Sequence, residues 1–202
     1  MKPLRRFLVA MSVLSLSATT LVGCGDKTIA LGYRAPASAP QLSPSLSILP
    51  ANDRRGNEGD RGDAFRVGGV YGGYGNRLVK VMVREPWPPK LTAALVAEFR
   101  AVGVDAVAAD RPTAGRAAWL DFDVTNFSTE ARWGREAHIA AVVRLHAPDG
   151  RRVVDKRIEA RESGYGLNNF DESLLEELLN RAFATFVRRV ATDPEILAAL
   201  KR

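Results

Sequence analysis

The chain carries one cysteine in 202 residues. A lone thiol excludes a disulfide framework, so the fold must stand on its hydrophobic core. Histidine is almost as scarce. His138 and His146 share strand parity, but eight residues of strand hold them roughly 27 Å apart, too far to share one metal ion. No apolar run reaches the roughly 20 residues that a confident spanning helix needs. No G-x-S-x-G occurs, and Ser163-Gly164-Tyr165-Gly166 reads as a flexible exit from a strand. The glycine-rich stretch Phe65–Arg77 misses the G-x-x-x-x-G-K-[ST] spacing, and a strand, not a helix start, follows it. These gaps remove the usual metal and nucleotide readings and leave a hydrolase as the third reading, behind an accessory protein and a ligand-binding module. No catalytic set, metal site or cofactor is expected.

What is present begins with location. Lys2, Arg5 and Arg6 form a positive n-region, and Phe7–Leu16 an apolar core. Leu21-Val22-Gly23-Cys24 closes the segment and holds the single cysteine. The order is that of a secretory signal. The closing four residues resemble the lipobox of bacterial lipoproteins, which implies cleavage between Gly23 and Cys24 and acylation of the Cys24 thiol, palmitate included. Acyl chains contribute about 0.8 kcal/mol per buried methylene, so two or three of them anchor stably. Gly25 at the position after the cysteine, where aspartate signals inner-membrane retention in enteric lipoproteins, favours the periplasmic side of the outer membrane. Asp26 leaves inner-membrane retention open. Arg5-Arg6 is a weak twin-arginine match, and ordinary secretory export is expected.

Three segments follow. Residues 1–23 read as signal peptide, 24–45 as a lipidated Pro/Ala/Ser-rich tether, and 46–202 as one periplasmic domain, large enough for a real core. An extended tether of about 20 residues could reach roughly 60 Å, although part of it could also lie along the domain as an edge strand. The formal charge of +6 drops by three when Lys2, Arg5 and Arg6 leave. That balance is no nucleic-acid footprint.

Within the domain, Leu46–Leu49 reads as a first strand and Asn52–Gly56 as a turn. Arg61-Gly62-Asp63 spells an integrin tripeptide by chance. The glycine-rich stretch reads as a hairpin-like loop that displays Tyr71 and Tyr74 at its rim, with Asn76 beside them. These three are the candidate ligand-binding residues. Packing of the tyrosines against the domain edge is the favoured alternative. Leu91, Leu95, Phe99 and Val102 recur at helical spacing, with Glu98 and Arg100 outside the stripe and Gly103 as the C′ residue. Val104–Val107 is a short strand.

A three-stranded meander comes next. Leu120, Phe122 and Val124, then Ile139, Ala141, Val143 and Leu145, then Val154, Ile158 and Ala160 face inward. Lys156 breaks the last pattern. The other parity is polar, which is expected of an antiparallel sheet covered on one face. Asp121 and Asp123 lie on that wet face roughly 7 Å apart and are expected to pair across strands, not to perform acid–base work. Ser173–Glu176 fits a capping box opening a long helix with an apolar stripe from Leu175 to Val190. Asp193-Pro194 opens a last short helix. The expected fold is α/β (α+β): a mostly antiparallel sheet with two helices packed on one face.

The order of these parts resembles the YajG-like family of uncharacterised bacterial lipoproteins. The likeness rests on Asp53-Arg54-Arg55, the loop Gly69–Gly75, the helix Leu91–Gly103, the meander and the tail Asp193–Leu197. It implies architecture and location, and no catalytic residues. The expected function is a non-enzymatic accessory or interaction protein of the cell envelope, with an envelope protein as partner. The alternative is a module binding an envelope glycan or lipid through Tyr71, Tyr74 and Asn76.

Overall fold

A computed structural model describes residues 25–37, 42–56, 62–112, 117–132, 134–165 and 171–201. Gly23 and Cys24 lie outside these, so the lipid-anchoring expectation rests on sequence. No helix among the described residues is long and apolar enough to cross a membrane.

The fold is built on one strand, β7 (Ala118–Ala131). One edge of β7 pairs antiparallel with β8 (Arg135–His146), which pairs antiparallel with β9 (Arg152–Gly164). This is the expected meander. The other edge of β7 receives three short parallel partners in succession: β2 (Leu42–Ile48), β3 (Asn52–Asp53) and β4 (Arg66–Tyr71). Outward from these, β6 (Val104–Ala108) lies parallel to β2, while β5 (Arg77–Val83) forms a hairpin with β4. The first strand, β1 (Lys27–Ile29), lies parallel to β5.

One expectation falls here. The nine-stranded sheet is mixed, not mostly antiparallel, since most strand pairings of the described residues are parallel. Side-chain alternation reports which face of a strand is buried but not which neighbour joins its edge. The stretch expected as a tether also contributes β1, and Ile29 and Leu31 are buried.

β7 is longer than its apolar alternation suggests because a bulge re-phases it. Val124 pairs with Ala141 and Asn126 with Ala140, leaving Thr125 extra. Its hydroxyl donates to the Ala140 carbonyl at 3.3 Å. Before the bulge Leu120, Phe122 and Val124 face the core; after it Phe127, Thr129 and Ala131 do. One inserted residue switches the inward parity, as a bulge must. Gly68 makes the β4–β7 pairing possible. It sits at φ +140°, and a Cβ there would lie 2.0 Å from the Thr129 carbonyl oxygen.

Helices cover one face. α1 (Trp87–Ala101) has prolines in its first turn and ends at Val102, with Gly103 at φ +87° beyond it. Val102 is an exposed cap, not part of the buried stripe. Glu98, expected outside the stripe, is 4% exposed and accepts a hydrogen bond from the Tyr33 hydroxyl. That contact and burial push the Tyr33 pKa well up, burial being the larger cause. α2 (Glu172–Ala191) buries Leu175, Leu178, Leu179, Ala182, Phe183, Phe186 and Val190 as expected. Its cap is Asp171, whose carboxylate accepts from the Ser173 and Leu174 amides at 3.1 and 3.4 Å. Glu176, the expected capping-box partner, instead accepts from the Ala30 amide at 2.8 Å. α3 (Pro194–Leu200) is capped by Asp193 and buries Ile196 and Leu200. Lys156 is held at its start by Asp193 and Glu195, each at 3.0 Å.

Candidate functional site

Three connections converge at one end of the sheet. Val70 of β4 pairs with Ala131, Ala131 with Arg135, and Arg135 with Gly164. The β4–β5 turn, the β7–β8 turn and the exit from β9 are therefore neighbours, and α2 begins beside them.

The β4–β5 turn is the expected glycine/tyrosine loop. The Gly72 amide donates to the Asn76 carbonyl at 2.8 Å and the Gly75 amide to the Gly72 carbonyl at 2.9 Å. Gly75 holds φ +78°. A Cβ on Gly72 would lie 2.8 Å from Asn76 Oδ1, so Asn76 folds over the turn and shapes it. The two tyrosines diverge. Tyr71 is half-buried, with the Arg132 guanidinium 4.2 Å above its ring. This is the edge packing expected of it. Tyr74 stands wholly in solvent, at 102% exposure. The structure adds a third tyrosine that the sequence reading passed over: Tyr165, 96% exposed, at the end of β9. Only strand register brings it beside the loop.

Between the turns lies a cavity of about 290 Å³ lined by Glu130, Arg132, Gly134, Arg135, Glu136, Ser163, Gly164 and Tyr165. Arg135 is 2% exposed, and none of its three guanidinium nitrogens has a hydrogen-bond partner. Glu130 is engaged by Arg132 at 3.1 Å and Glu136 by Arg161 at 3.6 Å. The Asp171 carboxylate is turned to its own helix. It is held below the ordinary range first by the Ser173 hydroxyl bond, with the Arg135 charge a smaller cause. A buried guanidinium without hydrogen-bond partners is costly. Its planar fork of donors fits the two oxygens of a carboxylate or phosphate.

The other polar clusters are internally satisfied. Arg144 bridges Asp121 at 3.0 Å and Asp123 at 2.8 Å, and His146 holds the second oxygen of Asp121 at 2.8 Å. His146 also stacks on Trp119 with centroids 5.0 Å apart. Burial alone would raise the Asp123 pKa, but bonds from Arg144 and Asn52 and the charges of Arg144 and Arg54 outweigh it and lower it. The paired-aspartate face is thus cross-strand-neutralised, as expected. His138 pairs with Glu159 at 3.4 Å, far along β8 from His146. A larger cavity of about 550 Å³ lies at the opposite sheet end, near the β8–β9 turn. Of its polar lining, His146, Arg152 and Arg151 are already paired, to Asp121, Asp155 and Asp149, and Ser45 is the remaining side-chain hydroxyl.

Asp53-Arg54-Arg55 has a structural role. Arg55 is 4% exposed and donates to both Asp53 carboxylate oxygens, at 2.9 and 2.8 Å. It also donates to the Asp63 carbonyl at 2.9 Å and to the Arg66 carbonyl, and lies 5.1 Å from the Trp87 ring centroid. Arg54 faces Asp123 at 3.9 Å. Asp63, the acid of the integrin-like tripeptide, accepts from the Phe65 and Arg66 amides.

No family model matches the chain, and no curated relative matches it. Among solved structures it is similar to a Xanthomonas campestris protein assigned to DUF330. That likeness has a TM-score of 0.64 and 17% identity over 87% of this chain and 98% of the other. A second, an uncharacterized protein, has a TM-score of 0.56 and 15% identity over 84% and 98%. A minor lipoprotein from Acinetobacter baumannii is a weaker likeness, with a TM-score of 0.44 and 10% identity over 76% and 94%. At such identities the first two establish a shared fold and nothing more. The resemblance to the YajG-like lipoproteins stands on the order of sequence motifs.

Proposed function

We propose that this chain is a lipid-anchored protein of the bacterial envelope, held through Cys24 on the periplasmic side of the outer membrane. It serves there as a non-enzymatic accessory that works by binding. The signal-like segment and the Leu21–Cys24 box support the anchor. The observation carrying the binding role is the uncovered end of the sheet, where Tyr74 and Tyr165 are both almost fully exposed on neighbouring connections. Tyrosine supplies large contact area at little entropic cost and is enriched at binding surfaces. In-cell crosslinking at Tyr74, followed by mass spectrometry, tests the role. A reproducible near-stoichiometric envelope protein supports it, and a clean product with no partner removes it. Cys24→Ala should abolish lipid labelling; unchanged labelling would refute the anchor.

Arg135 favours a second reading, a module for an anionic envelope ligand: it lines the cavity, and its buried guanidinium, which has no hydrogen-bond partner, would turn outward to meet the ligand. Titration of the full chain in maltoside detergent with inorganic phosphate, acetate and short-chain phosphatidylglycerol tests it. Saturable binding lost in Arg135→Gln supports a ligand site. Absence of binding to all three eliminates that site.

A further inference from the structure

The described chain begins at Gly25, and the direction in which it enters the fold is set by three contacts. β1 is parallel to β5, which itself starts at the β4–β5 turn. Lys27 lies 3.8 Å from Glu172 in the first turn of α2. The next residues then run along α2 away from its start: the Ala30 amide meets Glu176 and the Gly32 amide meets Asn180. Traced backwards, the chain therefore leaves the domain toward the end that carries the β4–β5 turn, the Arg135 cavity and the start of α2.

The lengths involved are short. Lys27 pairs with Val81, four residues along β5 from Arg77. At strand spacing, the base of the hairpin turn stands roughly 13 Å beyond Lys27. Cys24 precedes Lys27 by three residues, a maximum reach of about 10 Å. A thiol acylated at Cys24 must lie at the membrane interface, a headgroup layer roughly 5–8 Å deep on each side of the hydrocarbon. The tether is then no longer than the projection of the hairpin. It cannot hold this sheet end clear of the headgroups unless the domain tips over.

The exposed residues at that end suit such contact. Tyr74 and Tyr165 are almost fully exposed and Leu78 is 42% exposed. Tyrosine is enriched at headgroup level, where its ring sits among apolar stems and its hydroxyl reaches water. Charges of both signs stand there, Arg132 with Glu130 at the β7–β8 turn and Glu172 with Lys27 at the start of α2, so the tyrosines and not a basic patch carry the contact.

We infer that the hairpin end of the sheet is a lipid-facing surface: Tyr74 and Tyr165 rest in the headgroup layer, and the opposite end, at the β8–β9 turn, points away from the membrane. This rests on the Cys24 anchor and deepens the binding role, since it names the lipid surface as what covers the exposed tyrosines. The domain is then a fixed platform on the membrane, not a head on a long leash.

Because Cys24 would be acylated, one introduced cysteine is the one free thiol of the mature chain. Full-length protein is prepared as Tyr74→Cys, Tyr165→Cys and Asp149→Cys. Each is labelled with a small fluorophore and reconstituted into phosphatidylcholine–phosphatidylglycerol vesicles that contain a headgroup-spin-labelled lipid. Intact mass on the same samples reports acylation. The expected result is several-fold quenching at positions 74 and 165 and almost none at 149, on an acylated chain. Quenching at 149 equal to or above that at 74, or none at 74 and 165 on an acylated chain, overturns the orientation while leaving the anchor intact. A non-acylated mature chain overturns the anchor and the orientation with it.

Discussion

Two arginines lie equally deep in this domain and live in opposite surroundings. Arg55 is 4% exposed and Arg135 is 2% exposed. Arg55 has a bidentate carboxylate, two backbone carbonyls and the face of Trp87. Arg135 has no hydrogen-bond partner on any guanidinium nitrogen. Folding alone accounts for the first, because a buried charge with its donors filled ties β3, the 62–66 turn and α1 together. Folding does not account for the second. A buried guanidinium without a hydrogen-bond acceptor disfavours the folded state, and only the charges of Asp171, Glu130 and Glu136 nearby offset it. The difference separates an arginine that holds the structure from one that the structure holds in place.

The largest effect should come from breaking the satisfied arginine. Arg55→Ala removes the bidentate bond to Asp53, the bonds to two carbonyls and the stacking on Trp87, although the Gly62 amide still reaches the Asp53 carboxylate, and should destabilise by about 3–5 kcal/mol in urea unfolding. Arg55→Lys should recover only part of this, since an ammonium cannot reproduce the planar fork or the stacking on Trp87. A near-neutral Arg55→Ala would erase the contrast. At the other arginine the sign reverses. Arg135→Met replaces a buried guanidinium that has no hydrogen-bond partner with an apolar chain of similar length and should raise the urea midpoint. A loss of stability there would mean that Arg135 too is structural, and the two arginines would no longer differ in kind.

Acid sharpens the same comparison. Burial by itself would raise the Asp53 pKa, but bonds from Arg55 and the Gly62 amide, with the Arg55 charge, outweigh it and hold the carboxyl below its ordinary value. A depressed folded-state pKa contributes stability that is fully present above the unfolded value near 3.8. That stability is lost as pH falls from there through the folded pKa. Asp53→Asn should therefore flatten the acid limb of a stability-against-pH curve below about pH 4. His138 acts at a higher window. Burial and the Arg161 charge lower its pKa against the pull of Glu159, so its contribution is present above the ordinary histidine value of 6.5 and fades as pH drops. His138→Gln should remove the shallower slope just below neutrality and leave the steeper acid limb in place.

How far these features were legible follows from their range along the chain. The α2 stripe, the meander, the Gly103 cap and the neutralised Asp121–Asp123 face are local patterns of period 3.6 or 2, and the residues themselves spell them. The parallel partners of β7 are not local. β2, β3 and β4 meet it across loops, and no alternation says which edge they join. Asp53-Arg54-Arg55 stood out as a motif, but only the fold shows that it clamps Trp87. The candidate site was half legible. Glycine spacing announced the β4–β5 turn and its tyrosines, while Tyr165 and Arg135 reach the same place only through strand register. The buried Glu98 escaped for a related reason: its partner, Tyr33, sits 65 residues away in a stretch that read as tether.

Tyr74 should show the smallest effect on stability, and that smallness is informative. Its ring touches nothing that folding requires, and its place on the turn is set by Gly72, Gly75 and Asn76. Tyr74→Ala should leave the urea midpoint unchanged, whereas Asn76→Ala, which removes the side chain folded over Gly72, should lower it slightly. If Tyr74→Ala weakens membrane contact or partner capture at unchanged stability, the ring is there for what it meets outside the chain. If it lowers stability, the turn packs on the domain more closely than its exposure shows, and Tyr74 belongs with Tyr71 and Arg55 among the residues that hold the structure.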